Sequence, residues 1–234
     1  MSPHKPIVYI ISAPSGSGKS TLVKQLLNMV PGLDFSVSYT TRTPRGSEQN
    51  AKEYHFVPRG EFEQMILADE FLEHADVFGN CYGTARRFLR EAEQRGHDLL
   101  LDIDVQGARQ VKQKLPNAVG IFVLPPDRKT LEWRLRHRSE DSAEVIERRL
   151  VKAGAEIENY DKYDYILIND KLEESSEDLR AIVLGERLRR AGRPLTPAEK
   201  EIVATADGHR LQSVKNRVGP ILASFGAAVP SAGP

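Results

Sequence analysis

Residues 12–21, Ser-Ala-Pro-Ser-Gly-Ser-Gly-Lys-Ser-Thr, join a short apolar run to a stretch with helical periodicity. Glycines and small residues at such a strand-to-helix junction let backbone N–H groups approach an anion closely, and the positive end of the helix adds to the attraction. This is the P-loop pattern. Ala13, Pro14, Ser15, Gly16, Ser17, Gly18, Lys19, Ser20 and Thr21 would surround the phosphates of a nucleoside triphosphate, with Lys19 reaching the β- and γ-phosphates and the Ser20 hydroxyl ligating Mg²⁺. Ala13 stands where the general pattern has its first glycine, but Gly18-Lys19-Ser20 is intact. A loop of this kind binds a nucleoside triphosphate without saying what the triphosphate is used for.

A second anion site lies in residues 38–45, Ser-Tyr-Thr-Thr-Arg-Thr-Pro-Arg, with Tyr54 further on. Arg42 and Arg45 offer planar, permanently charged forks, and with Ser and Tyr hydroxyls they could satisfy most acceptors of one terminal phosphate. Glu73 and Thr84 stand in two later segments, 71–75 and 79–84. A carboxylate presents two parallel acceptors, which match the adjacent N1–H and exocyclic amine of guanine and not the corresponding edge of adenine. Residues 101–107, Leu-Asp-Ile-Asp-Val-Gln-Gly, close an apolar run with two carboxylates. Alternation with period two puts Asp102 and Asp104 on the same side of a strand. Arg134 and Arg138 are four apart on one face of a helical stretch, where like charges oppose the helix unless an anion sits between them.

These residues need a scaffold, and the apolar patterning supplies one. Short apolar runs at 7–11, 99–103, 119–124 and 165–168 are separated by amphipathic stretches, the alternation expected of a parallel sheet covered by helices. Leu22, Val23, Leu26, Leu27 and Val30 share one helix face, stopped by Pro31-Gly32. Residues 35–57 alternate Thr and Ser with polar residues and read as a small antiparallel excursion inserted after the first helix. Asp141 and Glu144 would cap the second helix of residues 131–150. Thr196-Pro197-Ala198-Glu199 is a capping box with proline at the first helical position, predicting a helix that ends near Gly208.

The chain of 234 residues is long enough for one large α/β domain. Its 33 Lys+Arg balance 33 Asp+Glu, which argues against bulk attraction to nucleic acid or to an anionic membrane. Residues 185–234 nevertheless carry a net charge of +4, leaving −4 for the rest. This tail reads as a solvated helical appendage or as a homo-oligomer contact, with residues 226–234 frayed. The apolar runs are too short for a bilayer span or a signal peptide, and the single cysteine, Cys81, cannot form an internal disulfide. Both features predict a soluble, cytoplasmic protein.

Taken together, the P-loop, SYTTRTPR with Tyr54, FLEHADVFGNCYGT and LLLDIDVQG occur in an order that resembles the guanylate kinase family of P-loop nucleoside monophosphate kinases, over roughly residues 6–190. The resemblance implies an α/β fold with a P-loop parallel sheet core flanked by helices, an inserted mixed α+β GMP-binding lobe and a helical lid. Residues 6–34, 98–126 and 160–190 would form the core, 35–97 the GMP-binding lobe, 127–159 the arginine lid and 191–234 a basic C-terminal extension. It implies transfer of the γ-phosphoryl group of Mg-ATP to GMP, giving ADP and GDP in purine nucleotide metabolism. By resemblance, Ser38, Arg42, Arg45, Tyr54 and Tyr82 hold the GMP phosphate, with Glu73 and Thr84 on the base and Asp104 also in the nucleotide site. Asp102 is left near the P-loop as a second candidate for the metal. Lys19, Arg134, Arg138 and Arg149 would converge on the transferring group in a domain closure that needs both substrates, and Asn169 would touch the adenine side. Cys81 replaces an aromatic residue of the family beside Tyr82, which puts the local packing in question. Two other readings stay open: a small P-loop kinase for a sugar phosphate, and a non-catalytic guanylate-kinase-like binding module.

Overall fold

The computed structural model describes residues 5–77, 79–138 and 142–226, and for Arg138 the backbone alone. A five-stranded sheet is ordered β2 (Leu33–Ser36), β7 (Asp98–Asp102), β1 (Val8–Ser12), β8 (Val119–Leu124), β9 (Tyr165–Ile168). A separate four-stranded sheet is ordered β4 (His55–Phe56), β3 (Tyr39–Thr40), β6 (Asn80–Ala85), β5 (Phe71–Val77). The described residues of Met1–Ile10 and Pro31–Ala118 form one compact unit, and those of Ile11–Val30 and Val119–Pro234 the other.

In the first unit β2 runs parallel to β7, from Leu33 opposite Asp98 to Ser36 opposite Leu101. Leu99, Leu100 and Leu101 are fully buried, as an apolar run covered on both faces requires. The excursion at 35–57 is not antiparallel throughout. Phe35 and Ser36 belong to β2 of the large sheet, and β3 pairs with β4 in parallel while pairing with β6 antiparallel. The connection over residues 41–54 is long enough for a parallel return, and Arg42 and Glu48 hold it open as a loop. Helices α2 (Arg59–Leu67) and α3 (Arg87–Arg95) complete this lobe around Phe62, Phe71 and Ala85. Cys81 packs at the edge of that cluster, and its backbone bonds Thr41 N, Thr41 Oγ1 and Thr40 Oγ1. Helix α4 (Val105–Lys114) follows β7, its first residue preceded by Asp104.

In the second unit β8 and β9 are parallel, with Ile121 opposite Tyr165 and Leu124 opposite Ile168, as their apolar runs predict. Helix α1 (Lys19–Met29) buries Leu22, Val23 and Leu26, and the predicted Val30 is buried just beyond it. Helices α5 (Arg128–Arg138) and α6 (Ala143–Ile157) share a core of Leu131, Leu135, Ile146, Leu150 and Ala153. The cap of α6 is Ser142, whose Oγ accepts the Val145 N–H, with Glu144 in the first turn; Asp141 lies outside the described residues. Helix α7 (Leu172–Arg190) packs on β9 and α1.

The C-terminal extension is not a solvated appendage. Helix α8 (Pro197–Asp207) starts with the predicted capping box and packs along α7, and α9 (Leu211–Ser224) buries Val214, Val218, Ile221 and Leu222. A polar cluster fastens its start: Tyr165 donates to Glu186 at 2.5 Å, Arg189 reaches Asp207, and Arg210 bonds Glu186 at 3.0 Å over the Tyr165 ring. At the far end Phe225 packs on the α5–α6 core. The fraying predicted for the last residues falls, beyond Gly226, outside the described residues. No helix among the described residues is long and apolar enough to cross a membrane.

Candidate active site

The phosphate loop leaves β1 at buried Ser12 and enters α1 through Gly18 in the left-handed conformation, φ 89°. Gly16 has φ 91°. Both positions favour glycine on backbone grounds, and space demands it as well. A Cβ on Gly16 would lie 2.8 Å from Leu135 Cδ2, and one on Gly18 would overlap the Asn169 side chain. The Ser17 N–H bonds the Pro14 carbonyl at 3.1 Å, closing the turn. Ser17 Oγ is buried without a partner, Lys19 is half-buried, and Ser20 and Thr21 are exposed at the head of α1.

Asn169 sits just beyond β9, buried beneath this loop. Its Nδ2 donates to the Ser17 carbonyl at 2.7 Å and its backbone N–H to Leu124 at 2.8 Å, while Oδ1 is buried without a partner. The amide therefore braces the loop, a role that a sequence separation of 152 residues hid. Arg134, from α5, donates through NH2 to the Asn169 and Asp170 carbonyls at 2.9 and 3.2 Å. Its NH1 is buried and unpaired, and burial lowers its pKa. An anion beside NH1 would relieve that desolvation. Arg149 is half-buried on α6, and the Arg138 side chain lies outside the described residues.

The lobe presents a different kind of site. Glu73, on β5, is buried, and one carboxylate oxygen accepts the hydroxyl of Thr84, its cross-strand partner on β6, at 2.7 Å. Burial, joined by the nearby Asp104 charge, pushes Glu73 up to about 7 despite the Thr84 bond. Asp104 is not a strand residue: β7 ends at Asp102, and Asp104 caps α4, accepting the Gln106 and Gly107 N–H groups at 3.0 and 2.9 Å. Period-two alternation fails because the chain turns into a helix between the two carboxylates.

Arg42 is buried to 8% exposure and held by Glu48, both of whose oxygens accept from its NH2 at 2.9 Å. Glu48 raises the Arg42 pKa, the Arg42 bond lowers that of Glu48, and the guanidinium lies 5.4 Å from the Tyr54 ring centre. Tyr54 and Tyr82 meet edge to face at 5.7 Å, and burial first, then Asp102, raises the Tyr54 pKa. Ser38 is half-buried, its carbonyl accepting the His55 N–H at 2.8 Å, and Arg45 is exposed. Sequence reasoning missed Glu48. An acidic residue six positions after an arginine in a loop carries no periodic signal.

No cluster of three or more His, Cys, Asp or Glu that could hold a metal occurs among the described residues. The exposed Ser20 hydroxyl at the loop's helix end suits Mg²⁺, which keeps several waters and binds through few protein oxygens plus substrate phosphates.

A strand–loop–helix phosphate cradle on a parallel sheet, with arginines on the following helical pair, defines a P-loop phosphotransferase. A family model described as guanylate kinase matches residues 5–186. A guanylate kinase of Koribacter versatilis (strain Ellin345) is 59% identical over 221 residues, covering 93% of this chain and 95% of that one. That of Escherichia coli (strain K12) is 50% identical over 184 residues, 78% of this chain and 89% of its own. A crystal structure of guanylate kinase from Anaplasma phagocytophilum superposes with a TM-score of 0.65 at 32% identity, covering 81% of this chain and 90% of that one. The chain belongs to the guanylate kinase family.

Proposed function

We infer that the chain transfers the γ-phosphoryl group of ATP to GMP, giving ADP and GDP, as an enzyme of purine nucleotide metabolism. The observation that carries this reading is the buried Glu73–Thr84 pair in a chain that also holds an intact phosphate loop. Ionised Glu73 accepts the N1–H and amine of guanine, with Thr84 fixing its orientation. AMP would leave the buried carboxylate unpaired, and a site built to hydrogen-bond its substrate rejects such an analogue by about 10⁴-fold. A scaffold module has no use for Lys19, and a sugar-phosphate kinase has none for Glu73 and Thr84 together.

Ser38, Arg42, Arg45, Tyr54 and Tyr82 hold the GMP phosphate. Glu48 keeps the Arg42 fork charged and aimed, so little of its side-chain freedom is left to lose on binding. Residues 13–21 cradle the ATP phosphates through backbone N–H groups, and Lys19 neutralises charge on the β- and γ-oxygens. Arg134, Arg138 and Arg149 stabilise the charge that spreads over the transferring group. No protein nucleophile is required, since a GMP phosphate oxygen displaces ADP in line. Ser20, with Asp102 as a second candidate, would hold Mg²⁺, which when bound would supply charge neutralisation at the phosphates. Asn169 serves the ATP side by bracing the loop, and Asp104 serves the GMP side through α4. The protein works in the cytoplasm, and residues 191–226 offer a surface for a second copy; an unchanged mass in light scattering after substitutions on that surface counts against the contact.

ADP formation from Mg-ATP, measured with GMP, AMP and ribose phosphates as acceptors, tests the reading. Turnover with GMP alone is expected. Turnover with a sugar phosphate and none with GMP overturns it.

A further inference from the structure

Helix α4 lies along β5 through one face, at positions 107, 110 and 114. Gln110 grips the main chain of His74 from both sides: its Oε1 accepts the His74 N–H at 3.2 Å, and its Nε2 donates to the His74 carbonyl at 2.7 Å. Lys114 Nζ reaches the Phe71 carbonyl at 3.5 Å. At the start of this face stands Gly107, opposite Glu73. A Cβ at position 107 would lie 2.5 Å from Glu73 Oε2 and 2.9 Å from its Cδ. The other carboxylate oxygen is bonded to Thr84 at 2.7 Å. The carboxylate is therefore seated between a hydroxyl on one side and the bare backbone of the first turn of α4 on the other.

Glycine is a poor helix former, and alanine would strengthen α4 by propensity alone. The helix gives up that gain where the space belongs to Glu73. The turn cannot simply retreat, because Asp104 caps it through Gln106 and Gly107 and Gln110 ties the next turn to β5. An added methyl would be relieved by moving the carboxylate, at the expense of its bond to Thr84.

We propose that Gly107 and Gln110 are positioning residues for guanine selection: the empty side-chain position at 107 sets the depth at which the Glu73 carboxylate lies, and Gln110 fixes the strand that carries it. The proposal rests on the reading of Glu73 as the base contact.

Steady-state kinetics of full-length Gly107→Ala, Gln110→Ala and Glu73→Gln test it. Gly107→Ala is expected to raise KM for GMP at least tenfold, with KM for ATP within twofold and Tm unchanged or higher. Gln110→Ala is expected to raise KM for GMP three- to tenfold, again sparing ATP. Shortening the carboxylate makes room for the methyl, so adding Gly107→Ala to a Glu73→Asp background should change KM for GMP less than threefold, a non-additivity that marks direct coupling. A plain packing role for Gly107 would instead lower Tm, disturb both KM values and add independently to Glu73→Asp. If Gly107→Ala does not fold, Gln110→Ala decides, and an unchanged KM for GMP overturns the proposal. If Glu73→Gln leaves KM for GMP unchanged, the reading of Glu73 itself fails. If it raises that KM while Gly107→Ala and Gln110→Ala do not, the positioning role alone is overturned.

Discussion

The loop at residues 12–19 and the strand pair β5–β6 build their sites from different parts of the chain. The loop works with its backbone: two glycines in the left-handed region, a helix N-terminus, and a buried amide from Asn169 that holds the Ser17 carbonyl. The strand pair works with side chains: a buried carboxylate against a buried hydroxyl, in a lobe where Glu48 holds Arg42. A backbone cradle recognises any polyphosphate, since every residue carries the same N–H. A carboxylate in low dielectric recognises one hydrogen-bonding edge, because leaving it unpaired is penalised. On the proposed function, generality and selectivity fall to different chemistry in the two units.

The largest effect should come from the charge that neither construction supplies alone. Arg149→Ala is expected to reduce kcat by about 10³-fold or more, as for other arginines acting on a phosphoryl transition state, with both KM values changed far less. An intact kcat in single-turnover measurements would remove Arg149 from the reacting group. Next, Gly18→Ala is predicted to lower kcat/KM for ATP by about 10²-fold through loop displacement, while Ser17→Ala, which removes a buried hydroxyl without a partner, stays within about twofold. Equal effects of the two would erase the distinction between backbone and side-chain binding.

How much of this was legible in sequence follows the same division. The loop could be read because glycines and Lys19 must be contiguous to wrap a phosphate, and β8 and β9 because strands buried on both faces are unbroken apolar runs. The contacts that aim side chains were hidden. Asn169 meets the loop 152 residues away, Gln110 meets β5 across 36, and neither spacing leaves a local trace. The parallel pairing of β3 with β4 depends on how a loop closes, which two-residue strands cannot announce. In the extension the capping box at Thr196 gave the start of α8. Val214, Val218, Ile221 and Leu222, at helical spacing, carried the signal that α9 packs rather than dangles.

Because burial raises Glu73 to about 7, the folded protein binds this proton more tightly than the unfolded chain. Stability from this group is therefore full below its ordinary pKa, near 4.5, and is lost as pH rises toward 7. GMP needs the ionised form, so binding should strengthen as pH rises through 7, by up to about tenfold per unit below that point. In Glu73→Gln both dependences should be lost, so that each remains only in the difference between wild type and variant; their persistence in the variant would assign them elsewhere. The smallest effect on activity is expected outside both sites. Ile221→Ala in α9 should destabilise by about 2–4 kcal/mol in thermal unfolding, with kcat changed less than twofold below the transition. A large loss of kcat there would mean that the extension takes part in turnover.

Glu73→Gln kinetics separate the two constructions, since on the proposed function a side-chain carboxylate in one unit chooses the acceptor while the backbone loop in the other is indifferent to it. In this variant kcat/KM for GMP is expected to fall about 10–100-fold and discrimination against AMP to narrow, while KM for ATP stays within twofold. Unchanged kcat/KM for GMP, or an equal loss on the ATP side, would contradict that division.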